Sequence, residues 1–222
     1  MPRTARASVG GVCYHVTNRG NARGAVFHSD DDFQAFVELL SAACNRLPMR
    51  VLAYCLMPNH FHLAIWPHKN GDLSRWVQWL LTSHVRLYHR RYESSGHVWQ
   101  GRFKAFPIQQ DEHLLTVMRY IERNPLRARL VRRAEYWRWS SLQWWKKNER
   151  PKFLHEGPME RGNDWLQVVH EPSTDAELAR LRQSVHRGTP FGNEPWVKRI
   201  AVRLGLESTL RPQGRPRKAV KK

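Results

Sequence analysis

Met57-Pro58-Asn59-His60-Phe61-His62-Leu63-Ala64-Ile65-Trp66-Pro67 is a strand entered from a tight turn, with prolines at both ends where a central strand cannot continue. Side chains alternate between the faces of a strand. His60, His62, Ala64 and Trp66 therefore share one face, and Phe61, Leu63 and Ile65 the other. The second set is a core face. The first holds two imidazoles whose Cα atoms stand roughly 6–7 Å apart, close enough for both rings to converge on one metal ion. Such a pair alone is weak evidence for a metal, since two half-exposed strand histidines give the same pattern.

Working outward, Met49 to Met57 reads as the preceding strand, and so short a connection makes the two antiparallel neighbours. Before it, Ser29 caps a helix opened by Asp30, Asp31 and Asp32, with Phe33, Phe36, Val37, Leu40, Cys44 and Leu47 on one stripe and Pro48 as its stop. Val12 to Asn18 alternates weakly and reads as a first strand. The turn Arg19-Gly20-Asn21-Ala22-Arg23-Gly24 that follows can offer backbone N–H groups to phosphate, though a plain solvated turn has the same composition.

Downstream, Asn70 or Asp72 caps a helix reaching about Tyr92, with Leu73, Trp76, Val77, Leu80 and Leu87 inward. His84, Arg86, His89, Arg90 and Arg91 crowd its second half and suggest a nucleic-acid face. His97 to Phe106 mixes aromatic and basic residues in a strand-like run. A third helix runs from near Asp111 to about Arg123, because Pro125 disfavours helical geometry at Asn124. Leu114, Leu115, Met118 and Ile121 form its core stripe, while His113, Thr116, Tyr120 and Asn124 line the opposite side. Tyr120 and Asn124, four residues apart, sit one above the other.

Charge bounds the partners. Lys and Arg number 37 against 19 Asp and Glu, a net +18 that points to DNA or RNA before an anionic membrane. Ten tryptophans accompany it, and aromatics among arginines suit unpaired bases. No run is long and apolar enough for a membrane span, and no secretory signal is read at the N-terminus. Cys13, Cys44 and Cys55 lack metal-type spacing and read as reduced thiols of a cytoplasmic protein.

Composition changes near residue 145, which is taken as the end of a main domain spanning 1–145. A linker over 146–172, a helical extension over 173–206 opened by the capping pattern Thr174-Asp175-Ala176-Glu177, and a disordered basic tail over 207–222 are expected to follow. Gly214-Arg215-Pro216 beside Arg217 resembles an AT-hook, a motif whose arginines enter a narrow minor groove; a generic basic tail reads the same way.

A His-hydrophobic-His strand followed by a Tyr-x-x-x-Asn helix on a very basic chain resembles the HUH single-tyrosine transposases, and among them the REP-associated tyrosine transposases of bacteria. Four segments carry the likeness: Tyr14 to Gly20 (YHVTNRG), Tyr54 to His62 (YCLMPNHFH), His97 to Phe103 (HVWQGRF) and Tyr120 to Ala128 (YIERNPLRA). It spans roughly residues 9 to 145. The resemblance implies an α+β fold, a ferredoxin-like antiparallel sheet with helices packed on it, here with a small helical C-terminal extension and a basic tail.

It also implies chemistry. His60, His62 and Asn124 match the metal ligands, for Mg²⁺ or Mn²⁺, and Tyr120 matches the nucleophile. Single-stranded DNA near REP hairpins would be cut through a 5′-phosphotyrosine link, leaving a 3′-OH for later rejoining. Arg19, Arg23, Arg86, Arg90 and Arg102 would hold phosphates, Trp99 would stack on bases, and Arg215 and Arg217 would bind through the tail. His113 is a candidate to ease deprotonation of Tyr120. Two other readings stand beside this one: a non-catalytic binder of structured DNA acting as a repressor, and a rolling-circle initiator or relaxase. A nucleoid-associated bacterial protein is expected, as a monomer in preference to a homodimer because of the C-terminal extension.

Overall fold

The computed structural model describes residues 8–147 and 150–211, without the side chains of 145–147. Four strands form one antiparallel sheet in the order β2-β3-β1-β4: β1 (Cys13–Arg19), β2 (Met49–Met57), β3 (His60–Pro67) and β4 (Lys104–Ile108). With α1 (Asp30–Arg46) between β1 and β2, and α2 (Asp72–Tyr92) between β3 and β4, this is the ferredoxin-like βαββαβ arrangement expected from the sequence.

Alternation sorts the two faces. Tyr14 and Val16 of β1, Phe61, Leu63 and Ile65 of β3, and Tyr54 and Leu56 of β2 pack against α1 and α2. The start of α1 is held by Asp32, whose carboxylate accepts from the backbone N–H groups of His28 and Ser29. The same carboxylate takes Arg91 at 2.5 Å and the Tyr92 hydroxyl at 2.5 Å, tying the start of α1 to the end of α2.

The opposite face carries the pair of histidines. Cys13, Ala53, Cys55, Met57, Ala64, Phe106 and Ile108 lie there under α3 (Glu112–Glu122), which continues through the short α4 (Asn124–Arg127). The sulfurs of Cys13 and Cys55 are buried and reduced, and burial pushes the Cys13 thiol up to about 12.

Several expectations change. His84 belongs to the core, packed between Phe36 at 5.1 Å and Trp99 at 5.2 Å, and Arg91 is committed to Asp32, so only part of the basic half of α2 faces outward. The strand after α2 begins at Lys104, not His97. Residues 98–101 instead pair with the end of β1, through Asn21 N–H to Val98 O and Gln100 N–H to Arg19 O.

The described residues of the expected linker over 146–172 include ordered, packed structure. His155 N–H donates to Val51 O along β2, and α6 (Trp165–His170) packs on α3. There Trp165 donates to Glu122, a carboxylate with no exposure that also accepts from Ser141 Oγ at 2.6 Å. The short α5 (Leu142–Lys147) precedes this stretch; α7 (Asp175–Arg187) and α8 (Glu194–Leu204) follow as the helical extension. Of the tail, Glu207–Thr209 forms a 3₁₀ turn, while Arg215 and Arg217 lie outside the described residues.

Candidate active site

The hairpin turn Pro58-Asn59 sets the position of His60. Pro58 O accepts from Val26 and Phe27 N–H, and Asn59 O accepts from Gly20 N–H, so the turn is laced to the loop after β1. Asn59 also uses its side chain at both ends. Its Nδ2 donates to Arg23 O at 2.9 Å, which leaves Oδ1 to face His60 Nδ1 at 2.6 Å. An amide oxygen can only accept, so the proton sits on His60 Nδ1 and the Nε2 lone pair is left free.

One strand step away, His62 is 4% exposed and its Nδ1 lies 2.9 Å from Nε2 of His15 on β1. The rings of His60 and His62 stand 5.0 Å apart and nearly perpendicular. Burial, and then the neighbouring Arg19 and Arg127 charges, lower the His60 pKa to about 4. Burial, with His60 and His15 beside it, holds His62 well below the ordinary histidine value. Both imidazoles are neutral at physiological pH, the state a metal ligand requires.

Tyr120 reaches the same place from α3. It is 7% exposed, and its ring meets that of His62 edge-on at 5.7 Å. Asn124 Nδ2 donates to Tyr120 O at 2.9 Å. Arg127, one turn further, donates to Asn124 Oδ1 at 2.6 Å and reaches the Tyr120 hydroxyl at 3.4 Å, with its Cζ 5.0 Å over the ring.

His60, His62, Tyr120, Asn124 and Arg127 line one cavity of about 780 Å³. Arg19, Arg23 and Arg102 also line it, joined by Lys104. Arg23 is carried there with a left-handed backbone (φ 62°). Gly20 makes that turn possible, since a Cβ would come within 2.2 Å of Gly24 O.

The donor set fits the divalent cation that the resemblance implies. The neutral His60 imidazole offers a free Nε2, His62 adds a second neutral imidazole, and Asn124 Oδ1, although held by Arg127, keeps a second lone pair. Imidazole with oxygen suits several divalent ions.

Other expected residues fall elsewhere. Trp99 is 6% exposed and closes the core with Phe61 at 5.3 Å, so its faces are not offered to bases. Arg86 and Arg90 are exposed on α2; Arg86 lines a separate cleft with Arg102. His113 bonds Asp111 at 2.8 Å and packs on Phe191, lining a different cavity from Tyr120. Sequence reasoning missed four participants. Arg127 could have been found at i+3 from Asn124; His15 alternates on the imidazole face once β1 is paired to β3. Arg182 and His186 line the cavity from α7, and no local pattern announces that long-range approach. Arg119 of α3 locks α7 in place by pairing with both Glu177 oxygens, at 2.5 and 2.6 Å.

The profile of IS200-like transposases matches residues 8–124, more than half of the chain and a span that contains both histidines, Tyr120 and Asn124. The chain belongs to the IS200-like transposase family. A Haemophilus influenzae protein assigned as a REP-associated tyrosine transposase is 26% identical over 123 residues, covering 50% of this chain and 69% of the relative. A solved structure described as a REP-associated tyrosine transposase bound to a REP hairpin has the same fold, with a TM-score of 0.56 and 16% identity over 73% of this chain and 99% of that one. Among the described residues of this transposase-family chain, no helix is long and apolar enough to cross a membrane.

Proposed function

We propose that the chain is a metal-dependent single-strand DNA endonuclease and strand transferase acting beside DNA hairpins such as REP elements, through a 5′-phosphotyrosine intermediate. The observation that carries this reading is the phenol of Tyr120 in one cavity with the two neutral imidazoles of His60 and His62. The hairpin substrate is suggested by the relatives' described partner.

His60, His62 and Asn124 would hold Mg²⁺ or Mn²⁺. When bound, the ion neutralises phosphate charge and stabilises the departing 3′-oxygen. Arg19, Arg23, Arg102 and Lys104 seat the flanking phosphates. Arg127 and the edge of His62 keep the phenol of Tyr120 turned into the cavity. The phenol oxygen attacks phosphorus, the bond from phosphorus to the 3′-oxygen breaks, and the phenol proton is passed through solvent to the departing oxygen. The product is a tyrosine phosphodiester on the 5′ side and a free 3′-OH. Because the ester retains the bond energy, a second 3′-OH can attack it and restore Tyr120.

Incubation of hairpin-bearing single-stranded DNA with Mg²⁺ or Mn²⁺, followed by a denaturing gel, tests the reading. A covalent protein–DNA adduct that disappears in Tyr120→Phe and with chelator is expected. Tight binding without any adduct in the wild type would leave a non-catalytic hairpin binder instead.

A further inference from the structure

Of the two candidate imidazole ligands, only His60 has its proton placed by an unambiguous partner. Asn59 spends its amide nitrogen on Arg23 O, so its oxygen must accept from His60. His62 faces a more ambiguous neighbour, His15, whose ring can donate or accept.

His15 lies on β1 opposite Ala64, with Thr17 opposite His62, so it is the diagonal neighbour of His62 on the same sheet face. Ala64 is small enough to let the two rings lean together, stacked 5.0 Å apart at 27°. Phe106, directly opposite His15 on β4, covers it at 4.8 Å, and Tyr120 approaches at 6.4 Å. His15 has no exposure. It is not among the residues lining the site cavity, and its Nδ1 is buried with no hydrogen-bond partner. A polar ring in so apolar a place costs stability. A phenylalanine would fill the space without that cost, so packing alone does not explain the imidazole.

We infer that His15 is a positioning residue that accepts the Nδ1 proton of His62 and thereby turns the Nε2 lone pair of His62 toward the divalent cation. The inference rests on the metal reading proposed above. Only one proton fits between His62 Nδ1 and His15 Nε2. If it belongs to His62, Nε2 of His62 is a bare lone pair, ready to ligate. If it belongs to His15, Nε2 of His62 carries the proton and cannot. Ion binding therefore selects the first arrangement, with the His15 proton on its unpartnered Nδ1. Asn59 and His15 then do the same task for the two ligands, one from the hairpin turn and one from the adjacent strand. Partners of this kind typically raise metal affinity ~10–100-fold.

Mn²⁺ titration of the full chain without DNA reads the effect directly. His15→Phe should bind Mn²⁺ about 10–100-fold more weakly with its thermal midpoint held or raised, and His15→Gln, whose amide oxygen can accept, should recover most of the loss. Undiminished binding by folded His15→Phe overturns the inference. If the wild type binds no better than His60→Ala, the metal reading has failed and the inference with it, a result distinct from the first. Imidazole ¹⁵N spectra of the Mg²⁺-loaded wild type, with His62 identified by its absence in His62→Gln, need no folded His15 variant. Protonated Nδ1 on His62 supports the assignment, and protonated Nε2 refutes it.

Discussion

The guanidinium of Arg127 donates to the side-chain oxygen of Asn124 at 2.6 Å, and so sets a positive charge against the one oxygen donor of the proposed ligand set. A cation that takes this oxygen must share it or displace the arginine. Arg127 also reaches the Tyr120 hydroxyl, where, on the proposed mechanism, it would balance charge developing on the attacking oxygen. Arg127→Ala should therefore separate two quantities. Mn²⁺ affinity should rise a few-fold, because a like charge is gone, while adduct formation falls roughly 10²-fold. Calorimetric titration and a timed adduct gel measure the two.

Trp99 is a core residue here, so Trp99→Ala should act on stability first. Removing an indole packed between Phe27, Phe36, Phe61 and His84 should cost about 3–5 kcal/mol and lower the thermal midpoint by roughly 10 °C. Single-strand and duplex binding should then decline together at a given temperature. A selective loss of single-strand binding with an unchanged midpoint would mean the indole leaves the core to meet DNA.

His84 gives the stability a pH dependence. Burial lowers its pKa from 6.5 to about 4, against a smaller opposing pull from Asp32. Below pH 6.5 the unfolded chain takes up the proton more readily than the folded one, so stability falls as pH drops from about 6.5 to 4 and is unaffected above. The loss approaches about 3 kcal/mol at the lower end. His15, His60 and His62 push the same way, so His84→Phe should make the denaturation profile shallower in this window, not flat.

Arg182 tests whether the helical extension touches substrate. It is exposed, it lines the cavity, and α7 is anchored independently through Arg119 and Glu177. Arg182→Ala should leave the thermal midpoint in place, weaken hairpin DNA, and reduce the slope of log affinity against log salt by ~0.7–0.9, the equivalent of one phosphate contact. Binding isotherms at several salt concentrations check this.

Much of this was legible in the sequence because it follows from alternation and short connections. His60 and His62 share a face since strands have a period of two, and Pro58-Asn59 forces β2 and β3 to pair. What was misread depends on contacts distant along the chain. His84 follows Trp76 and Leu80 at helical spacing, yet its flanking arginines suggested a wet face until Phe36 and Trp99 supplied the walls. Trp165 and Val169 sit in a six-residue helix, too short for periodicity to stand out from a Pro/Gly-bearing stretch. His113 and Tyr120 share a side of α3 by angle, but Phe191 covers the first.

Asn59 is a clasp whose two ends serve different masters: one grips the backbone of the arginine loop, the other an imidazole. On the proposed function, a phosphate that draws on Arg23 would pull on His60 through Asn59 without crossing the apolar interior. Adding a single methyl group at Gly20, which collides with Gly24 and forces the loop outward, should loosen that grip and blunt the reaction centre from outside it.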